Sequence, residues 1–528
     1  MMKREIIIRH CQASEIEALI NATPDGGVCR LEPKEYYIER RAVIRYKKNI
    51  TLDGGGATVI CKYVSSADYT ASADGFLIED CQGLVMKNIT LDTDVAPTVT
   101  AYVEAVDPEL GKLTIRVDDE FPMNGNEVLM ALISADAHGS FDYRMHHYQF
   151  NPDPKVITLI QDEIYCANSF ASASYDFLGD NRFIVHLKRS KVSQLREGNR
   201  ICIRHTMYGP ATIALRNSDD TTLENITMHA TGGMGVMVLY RCNNLIIDGL
   251  KMVVREGSSA LMSCNCDGVH ITGLTGRFEM RNCYFDGLGD DALNIHSLAG
   301  TATLVDFENN TVKCNYCKKR PDGILPMAWC RRGDRIKIFD PTTISYKGEM
   351  TVKCFKDGVL TYSCLTGELC NGYIIQNAEF SPSCLVENCI VKRTRSRGFL
   401  FQTDNIEVRN CTFENMSSCA ILAAPDLNYW YEVGPVDGMH IHHNQFIKNG
   451  FACSAPSIAM HTCHKGTDDD VWGLHKNVCI EDNVFKCSST TKIFLRSTDG
   501  VRIKNNVFDE LDTQPNFTLS RCTNIDTD

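Results

Sequence analysis

The sequence predicts an all-β fold, a right-handed parallel β-helix (solenoid) with two small β-barrel or β-sheet modules inserted into it. Three observations predict this fold. A short pattern of strand, Asn turn and strand recurs along the chain, its base spacing is 22 to 24 residues, and larger spacings correspond to one coil with an insertion. This spacing is typical of a solenoid, because each coil has a fixed circumference and extra residues leave it as loops.

Each copy of the pattern consists of alternating apolar residues, a turn residue that is usually Asn, and a second apolar strand. Asn suits a left-handed backbone position and can stack on the Asn of the next coil. A sandwich of short hairpins would instead show Asn-Gly or Asp-Gly turns roughly every 8–12 residues, and few are present. The copies occupy residues 84–91, 222–228, 245–252, 278–285, 384–391, 406–413, 439–446, 478–485 and 501–508.

Two segments interrupt the repeat with patterns typical of antiparallel strands joined by polar turns. The second starts directly after the acidic cluster described below, so we expect it to form one wall of a cleft. A helix over residues 13–21 is expected to cap the open end of the solenoid. The predicted order is an N-terminal cap with the first coils at 1–96, an inserted module at 97–205, central coils at 206–298, a second inserted module at 299–378 and C-terminal coils at 379–528.

Length and charge limit the possible functions. With 528 residues, the chain can bury a large core without disulfides or a metal. Its 54 basic and 66 acidic residues give a formal net charge of −12, with no compensating basic cluster. Nucleic acid is therefore not an expected partner, since phosphate binding needs a concentrated positive face, and a neutral substrate such as a sugar fits better.

Membrane and metal sites are not expected either. No stretch approaches the ~20 apolar residues of a membrane-spanning helix, and the apolar run near the start is too short for a signal peptide. The 25 cysteines are an odd number in a large chain, which favours a reduced, cytoplasmic protein. Cys314, Cys317 and Cys330 have a metal-like spacing, but no fourth ligand is evident, so no metal and no cofactor is expected.

An acidic cluster is predicted where two coils meet. The segment from Asp267 to His270 is followed by a second segment that starts at Asp290 and Asp291. The 23-residue offset between Asp267 and Asp290 equals the base spacing, which predicts that the two lie on adjacent coils, about 4.8 Å apart. Successive strand residues point to opposite faces, so Asp290 and Asp291 share a face only at a turn or bulge, which the glycines at 287 and 289 permit.

Three carboxylates on one patch predict a catalytic site. Like charges this close raise one another's pKa, which is unfavourable unless the protein uses it. Glycoside hydrolysis does use it, because a protonated carboxyl serves the leaving oxygen and an ionised one serves water. An isolated Gly-Asp-Asp is more often a surface turn or a calcium site, but the one-coil offset and the accompanying His270, Asn294 and His296 favour catalysis. A calcium-dependent lyase would also need a Lys or Arg base over the cleft.

These segments resemble glycoside hydrolase family 110, the α-1,3-galactosidases. That family carries an Asp-x-x-His motif one coil before an Asp-Asp-Ala-x-Asn-x-His motif, and here the motifs begin at Asp267 and Asp290. Further matches are Gly-Gly-Met-Gly at 232–235, Arg-Gly at 397–398 and Trp-Tyr-Glu-x-Gly-Pro at 430–435. The similarity spans roughly residues 205–450.

The resemblance implies an inverting hydrolase that removes terminal α-1,3-linked galactose from an oligosaccharide or glycan. It implies Asp290 as the general acid and Asp267 with Asp291 as the pair that holds and deprotonates water. An inverting geometry needs carboxyl groups about 6.5–9.5 Å apart, whereas a retaining one needs about 5–5.5 Å. The residues expected to bind the sugar, with packing or a salt bridge as the alternative for each, are His270, Asn294, His296, Arg255, Arg397, Trp430 and Glu432.

Two other readings remain open. One is another β-helix carbohydrate enzyme, either a polygalacturonase-like hydrolase or a lyase, although the Gly-His-Gly motif expected after the paired Asp is absent and a polyanionic substrate would meet an acidic protein. The other is a non-catalytic glycan-binding solenoid, which would not need three gathered Asp residues. The aglycone, the division of acid and base roles, and the oligomeric state do not follow from the sequence.

Overall fold

A computed structural model describes residues 12–62, 73–121, 147–150, 175–186, 189–193, 195–204, 209–315, 329–427, 430–450, 454–463, 471–486, 491–509 and 515–528. Their regular secondary structure is almost entirely β-strand. The helices are α1 (Ala13–Ala22) and α2 (Arg189–Val192). The first strands in chain order are β1 (Val28–Arg30), β2 (Glu35–Ile38), β3 (Ala42–Arg45), β4 (Thr51–Cys61), β5 (Ala73–Glu79), β6 (Val85–Thr93), β7 (Thr98–Asp107), β8 (Lys112–Val117), β9 (His147–Phe150), β10 (Tyr175–Gly179), β11 (Arg182–His186), β12 (Arg200–Arg204), β13 (Ala211–Arg216), β14 (Asp219–Met228), β15 (Val236–Leu239), β16 (Cys242–Asp248) and β17 (Lys251–Met252).

The remaining strands follow in the same order. They are β18 (Val269–Thr272), β19 (Leu274–Arg281), β20 (Tyr284–Asp286), β21 (Leu293–Asp306), β22 (Thr311–Asn315), β23 (Arg335–Phe339), β24 (Tyr346–Lys356), β25 (Val359–Gly367), β26 (Ile374–Asn377), β27 (Ser383–Glu387), β28 (Ile390–Lys392), β29 (Phe399–Gln402), β30 (Ile406–Arg409), β31 (Thr412–Glu414), β32 (Ile421–Ala423), β33 (Glu432–Val433), β34 (Asp437–His442), β35 (Gln445–Ile447), β36 (Ile458–Met460), β37 (His475–Glu481), β38 (Val484–Lys486), β39 (Ile493–Arg496), β40 (Thr498–Lys504), β41 (Val507–Phe508), β42 (Phe517–Ser520) and β43 (Thr523–Thr527).

The chain divides into two compact units. The first comprises Met1–Leu215, Thr221–Val236 and Gly249–Cys266, and the second comprises Arg216–Asp220, Met237–Asp248 and Asp267–Asp528. Within the described residues, no helix is both long enough and apolar enough to cross a lipid bilayer.

The first unit contains parallel coils and an antiparallel insertion. Strands β1 and β2 pair in parallel with β4, which pairs with β6, and β6 with β14. Met228 pairs with Met252, which confirms the predicted 24-residue coil. The insertion forms an antiparallel sheet in the order β10-β11-β8-β7-β12-β9, whose buried core includes Val99, Ile115 and Phe183. Helix α1 begins at the predicted residue and buries Ala13, Ile16 and Ile20.

The second unit contains three stacks of parallel strands, one on each side of the coil. The pairings run β16-β19-β27-β30-β34-β37-β40-β43, then β20-β28-β31-β35-β38-β41, and β18-β21-β29-β32-β36-β39-β42. Each strand pairs with the equivalent strand of the next coil. The predicted parallel β-helix with two antiparallel insertions is therefore confirmed.

A ladder of aromatic rings fills the interior of the later coils. Phe413, Phe446, Phe485 and Phe508 pair in register, which confirms the predicted spacings of 33, 39 and 23 residues. Neighbouring rings stack with centroids 5.2, 4.7 and 5.1 Å apart. The ladder exists because the same side of each coil places an inward-facing residue at the same position.

Asn residues turn the corners of the coils as predicted. Asn88, Asn225 and Asn410 have φ values of 56°, 51° and 53°, in the left-handed region that Asn tolerates. In the first unit, the Asn225 amide donates to the side-chain oxygen of Asn88 at 2.8 Å, so the turn residues also bond from coil to coil.

The second insertion begins within a strand of the β-helix. The first residues of β21 pair in parallel with β18 and β29, whereas its later residues pair antiparallel with β22 and β26. Pairings of β22 with β25, β25 with β24, β24 with β23 and β23 with β26 close a six-stranded barrel. Cys314 and Cys330 lie in its buried core, and Cys317 lies outside the described residues. One rigid strand thus joins the barrel to the coil that carries the acidic cluster.

Candidate active site

The strand register corrects the predicted alignment of the acidic cluster. Strand β18 pairs with β21 so that His270 faces Asn294 and Thr272 faces His296, an offset of 24 residues rather than 23. Asp267 therefore aligns with Asp291, not with Asp290. The Asp291 backbone N–H donates to the Asp267 carboxylate at 3.2 Å. The extra residue is Asp290, which occupies the bend before β21 and so does not add to the paired strand.

The three carboxyl groups lie together at this bend. Their closest oxygen atoms all lie within 4.8 Å of one another. Asp267 and Asp291 are 6% and 0% exposed, whereas the Asp290 side chain retains 14% exposure. Gly287 has a φ of +75°, which supports the prediction that a turn is needed to bring neighbouring Asp residues to one patch.

One guanidinium group faces this cluster from the next coil. Arg397 precedes β29, the strand that pairs with β21. Its Nε donates to Asp291 Oδ1 at 2.7 Å, its backbone N–H donates to the same oxygen at 3.1 Å, and its Nη2 lies 3.9 Å from Asp290. The local charge is therefore one cation against three carboxyl groups, so complete ionisation of the cluster is costly.

Burial sets the protonation of two of these groups. Burial raises the pKa of Asp291 to about 7; Arg397 opposes the rise, and the charges of Asp290 and Asp267 add to it. Burial, followed by the charges of Asp290 and Glu432, raises the pKa of Asp267 well above its ordinary value. The two buried carboxyl groups thus have different partners: Arg397 bonds to Asp291, and His270 bonds to Asp267.

A chain of hydrogen bonds connects Asp267 to two histidines. Asp267 Oδ2 lies 2.6 Å from His270 Nδ1, and the Nε2 atoms of His270 and His296 lie 3.2 Å apart. His296 Nδ1 lies 3.0 Å from the backbone carbonyl of Ser297, which can only accept. Burial lowers the pKa of both imidazoles, which favours their neutral forms.

The fixed acceptor determines the direction of this chain. Neutral His296 donates from Nδ1 to the Ser297 carbonyl, so its Nε2 can only accept, and His270 must donate to it from Nε2. Neutral His270 then has an unprotonated Nδ1, which accepts from the Asp267 carboxyl. The hydrogen-bond chain from Asp267 through His270 to His296 therefore carries one more proton than it would if Asp267 were ionised and both imidazoles were neutral.

Glu432 completes the network from an antiparallel strand. Strand β33 pairs with β21 so that Glu432 faces Leu298. Its carboxylate accepts from the Asn294 amide at 3.3 Å and lies 3.6 Å from His296 Nε2. Although burial raises the pKa of Glu432, attraction to the protonated forms of His296 and His270 and the Asn294 hydrogen bond outweigh that effect, and the pKa is lowered.

Two buried oxygen atoms in this network lack hydrogen-bond partners among the residues that the structure describes. They are Asp291 Oδ2 and Asn294 Oδ1. Unsatisfied buried acceptors are costly, and they are common where a protein binds a ligand or water. Both acceptors belong to residues of the carboxyl network, so this site has unused capacity to accept hydrogen bonds.

Hydrogen bonds and ion pairs connect eight of the ten predicted site residues into one network. Arg255 lies in the first unit, where its guanidinium bonds to the Asp92 carboxylate. Trp430 is 37% exposed, and its backbone N–H donates to Asp426 at 3.0 Å. The Ser297 carbonyl was missed, because a backbone acceptor leaves no signal in the sequence. The gathered residues are Asp267, His270, Asp290, Asp291, Asn294, His296, Arg397 and Glu432.

The donor atoms of His270, His296 and Glu432 lie within 4.8 Å of one another, as do those of the three Asp residues. Either set is close enough for one divalent cation to contact its members. Hydrogen bonds already join Asp267 to His270, His270 to His296 and Asp291 to Arg397.

The chain is similar to several curated α-1,3-galactosidases. It is 24% identical over 517 residues to α-1,3-galactosidase A of Bacteroides fragilis, a match covering 93% of this chain and 80% of that protein. It is 25% identical to α-1,3-galactosidase B of Bacteroides thetaiotaomicron over 87% of this chain and 73% of that protein. The match to α-1,3-galactosidase B of Akkermansia muciniphila is 29% identical and covers 63% of this chain and 43% of that protein.

Similarity to solved structures is weaker. The A-module of mannuronan C-5 epimerase from Azotobacter vinelandii gives a TM-score of 0.42 at 11% identity, covering 98% of this chain and 96% of that one. The endo-xylogalacturonan hydrolase of Aspergillus tubingensis gives 0.45 at 9% identity, covering 97% and 92%.

No family model matches the chain. The similarity to the curated proteins extends over most of the chain and includes the segment that carries the carboxyl cluster. This bears out the resemblance predicted from the two Asp motifs: the chain is similar to proteins named α-1,3-galactosidases over most of its length.

Proposed function

We propose that this chain is a glycoside hydrolase that acts on α-galactosides and removes terminal α-1,3-linked galactose. The observation that carries the proposal is the cluster of Asp267, Asp290 and Asp291, with closest oxygens within 4.8 Å and one guanidinium beside it. Similarity to proteins named α-1,3-galactosidases supports the choice of sugar and linkage.

The acid role is assigned to Asp290. Its side chain is the most exposed of the three, so it is the carboxyl best placed to reach a glycosidic oxygen arriving from solvent. Its contact with Arg397 is longer than that of Asp291, at 3.9 Å against 2.7 Å. A protonated Asp290 donates to the leaving oxygen as the glycosidic bond breaks.

Asp267 and Asp291 hold and deprotonate the attacking water. Arg397 occupies Oδ1 of Asp291, which leaves its unpartnered Oδ2 as the acceptor for a water proton. A pKa of about 7 leaves Asp291 partly ionised near neutral pH. Asp267 can act as an acceptor only after it passes its proton to His270 Nδ1, which lies 2.6 Å away.

We assign an inverting mechanism by resemblance to the α-1,3-galactosidases. The short separation of the carboxyl groups gives a reason to test this mechanism. The closest carboxyl oxygens lie within 4.8 Å, whereas inverting glycosidases usually separate their carboxyl groups by about 6.5–9.5 Å. An inverting reaction here requires the water to bind against Asp291 and Asp267 together. A covalent intermediate on one carboxylate is the retaining alternative.

We assign the binding of sugar hydroxyls to the polar residues around the cluster. Asn294 Oδ1 is the unpartnered acceptor, and the Glu432 carboxylate lies beside it. Arg397 can donate from the guanidinium nitrogens that Asp291 does not use. Exposed Trp430 is assigned to stack on a sugar ring, since its indole is accessible.

A substrate panel tests this proposal. The protein is incubated with α-1,3-, α-1,4- and α-1,6-linked galactobiose and with trigalacturonate, and released monosaccharide is quantified by chromatography. We expect galactose from the α-1,3-linked disaccharide first. Release of galacturonate alone would favour the polygalacturonase-like reading, and glycan binding without any release would favour a binding solenoid.

A further inference from the structure

A second group of donor side chains lies on the outer face of the second unit. In the parallel strands β30, β34 and β37, Glu407 pairs with His440, which pairs with Cys479. Two residues further along, His442 pairs with Glu481. Because the strands stack in register, alternate residues form rows of side chains on one rigid surface.

Three of these side chains converge. The donor atoms of His440, Cys479 and Glu481 all lie within 4.8 Å of one another, and His440 Nε2 lies 2.9 Å from Glu481 Oε1. The His440 ring stacks on the His442 ring with centroids 4.1 Å apart. His442 Nε2 in turn lies 3.2 Å from Glu407, so the neighbouring residues hold the His440 ring in place.

The group is accessible from solvent. The His440 side chain is 41% exposed and that of Glu481 is 23% exposed. A groove of about 440 Å³ runs beside them, and residues that line it include Glu407, His440, Asn477 and Cys479. An ion could therefore enter from solvent and keep a water molecule as a further ligand.

The donor types favour a transition metal over calcium or magnesium. Imidazole nitrogen and thiolate sulfur are the ligands that Zn²⁺ selects, whereas Ca²⁺ and Mg²⁺ prefer oxygen alone. Burial, followed by the charge and hydrogen bond of Glu481, raises the pKa of the Cys479 thiol to about 11, so a metal ion must displace its proton. Arg502 donates from Nε to Glu481 Oε2 at 3.4 Å and from Nη1 to Asp526 at 2.7 Å, which leaves Glu481 Oε1 facing His440.

We propose that His440, Cys479 and Glu481 bind one divalent transition-metal ion of the Zn²⁺ class, using residues distinct from those of the carboxyl cluster. On binding, the Cys479 thiol releases its proton to solvent, so affinity decreases as pH is lowered. The proposal does not depend on the glycosidase function.

Equilibrium dialysis of the EDTA-treated full chain against ZnCl₂ tests the site. Variants His440→Ala and Cys479→Ser are compared with Cys354→Ser, which removes an exposed cysteine elsewhere in the second unit, and with His270→Ala, which alters the carboxyl cluster. We expect wild type and both controls to bind one more equivalent of Zn²⁺ than the two site variants. Circular dichroism establishes that each variant is folded.

Cobalt substitution identifies the sulfur ligand directly. Co²⁺ bound by a thiolate shows a thiolate-to-metal charge-transfer absorption, and we expect it in wild type and Cys354→Ser but not in Cys479→Ser. Equal Zn²⁺ stoichiometry in all variants, or a Co²⁺ complex of wild type without this absorption, would overturn the proposal. Galactoside hydrolysis by Cys479→Ser should be unchanged, which separates failure of this site from failure of the proposed enzyme.

Discussion

Asp291 combines burial with one strong cationic partner. Burial raises its pKa to about 7, and Arg397 opposes that rise. If Asp291 takes the water proton, kcat/KM for an α-galactoside should fall as the pH decreases below about 7, because the carboxyl becomes protonated. A pH–rate profile measures this, with Asp291→Asn as the inactive control. A profile that stays flat down to about pH 5 would exclude Asp291 as the base.

The same raised pKa predicts how stability depends on pH. The ordinary carboxyl pKa is 3.8, and the folded value for Asp291 is about 7, so the folded state binds the proton more tightly. Stability from this group is fully present below the unfolded pKa and is lost as pH rises through the folded pKa. Asp291→Asn, which keeps an acceptor for Arg397, should therefore be more stable than wild type at about pH 8, by roughly 1–3 kcal/mol.

Urea unfolding at about pH 4 and pH 8 measures this difference. The advantage of Asp291→Asn should shrink at the lower pH, where the wild-type carboxyl is protonated as well. A variant that is less stable than wild type at both pH values would show that the Arg397 ion pair outweighs the cost of burying the charge.

The sequence predicted which Asp residues form the cluster, but it did not predict which of them align in neighbouring coils. Spacing alone placed Asp267 within one coil of Asp290 and Asp291. The register that aligns Asp267 with Asp291 depends on the bend at Asp290, and bends change coil length by single residues that a repeat count does not resolve. Glu432 lies 138 residues beyond Asn294, and only the family resemblance pointed to it.

At the scale of the strand, a close contact fixes the residue after Arg397. A Cβ added at Gly398 would lie 2.4 Å from the Ala420 carbonyl oxygen and 2.8 Å from the Phe413 ring. Gly398→Ala should therefore destabilise the protein by ~1–3 kcal/mol and weaken the Arg397 contact to Asp291. Thermal unfolding and galactoside hydrolysis measure the two effects. Ser396→Ala, on the other side of Arg397, is the control and should change stability by less than ~0.5 kcal/mol.

Buried Asn residues link the later coils through side-chain hydrogen bonds. The Asn483 amide donates to Asn506 at 3.0 Å and to the Ile441 carbonyl at 2.9 Å, and its oxygen accepts from Asn444. Asn483→Ala should cost ~2–4 kcal/mol, because several buried groups lose their partner at once. Chemical unfolding compares it with Asn309→Ala, at an exposed turn. Equal stability of the two variants would contradict a structural role for the Asn ladder.

Element-level prediction was strongest where the pattern repeats. The coils from residue 384 onward were found with their spacings, because each copy carries the same apolar and Asn positions. The edge of the second insertion was harder to place. The predicted boundary between 298 and 299 falls inside β21, which continues from the β-helix into the barrel without a turn residue to mark the change.

For the whole molecule, fold and site depend on different amounts of sequence. The β-helix follows from a periodicity spread over the full chain, so it was predictable without relatives. The chemistry follows from a few residues that one register and one bend bring together. Identity to the curated relatives is only 24–29%. The surface around the carboxyl cluster, which would determine aglycone specificity, is therefore the part of the site that the sequence predicts least.

Proton NMR of α-1,3-galactobiose hydrolysis by wild type and Asp290→Asn tests the reaction at the carboxyl cluster. We expect wild type to release β-galactose first and the variant to be slower by ~10²–10⁴-fold, since it lacks the general acid. Initial release of α-galactose would contradict the inverting mechanism. Equal rates for the two proteins would contradict the central claim that the Asp267, Asp290 and Asp291 cluster carries out the reaction.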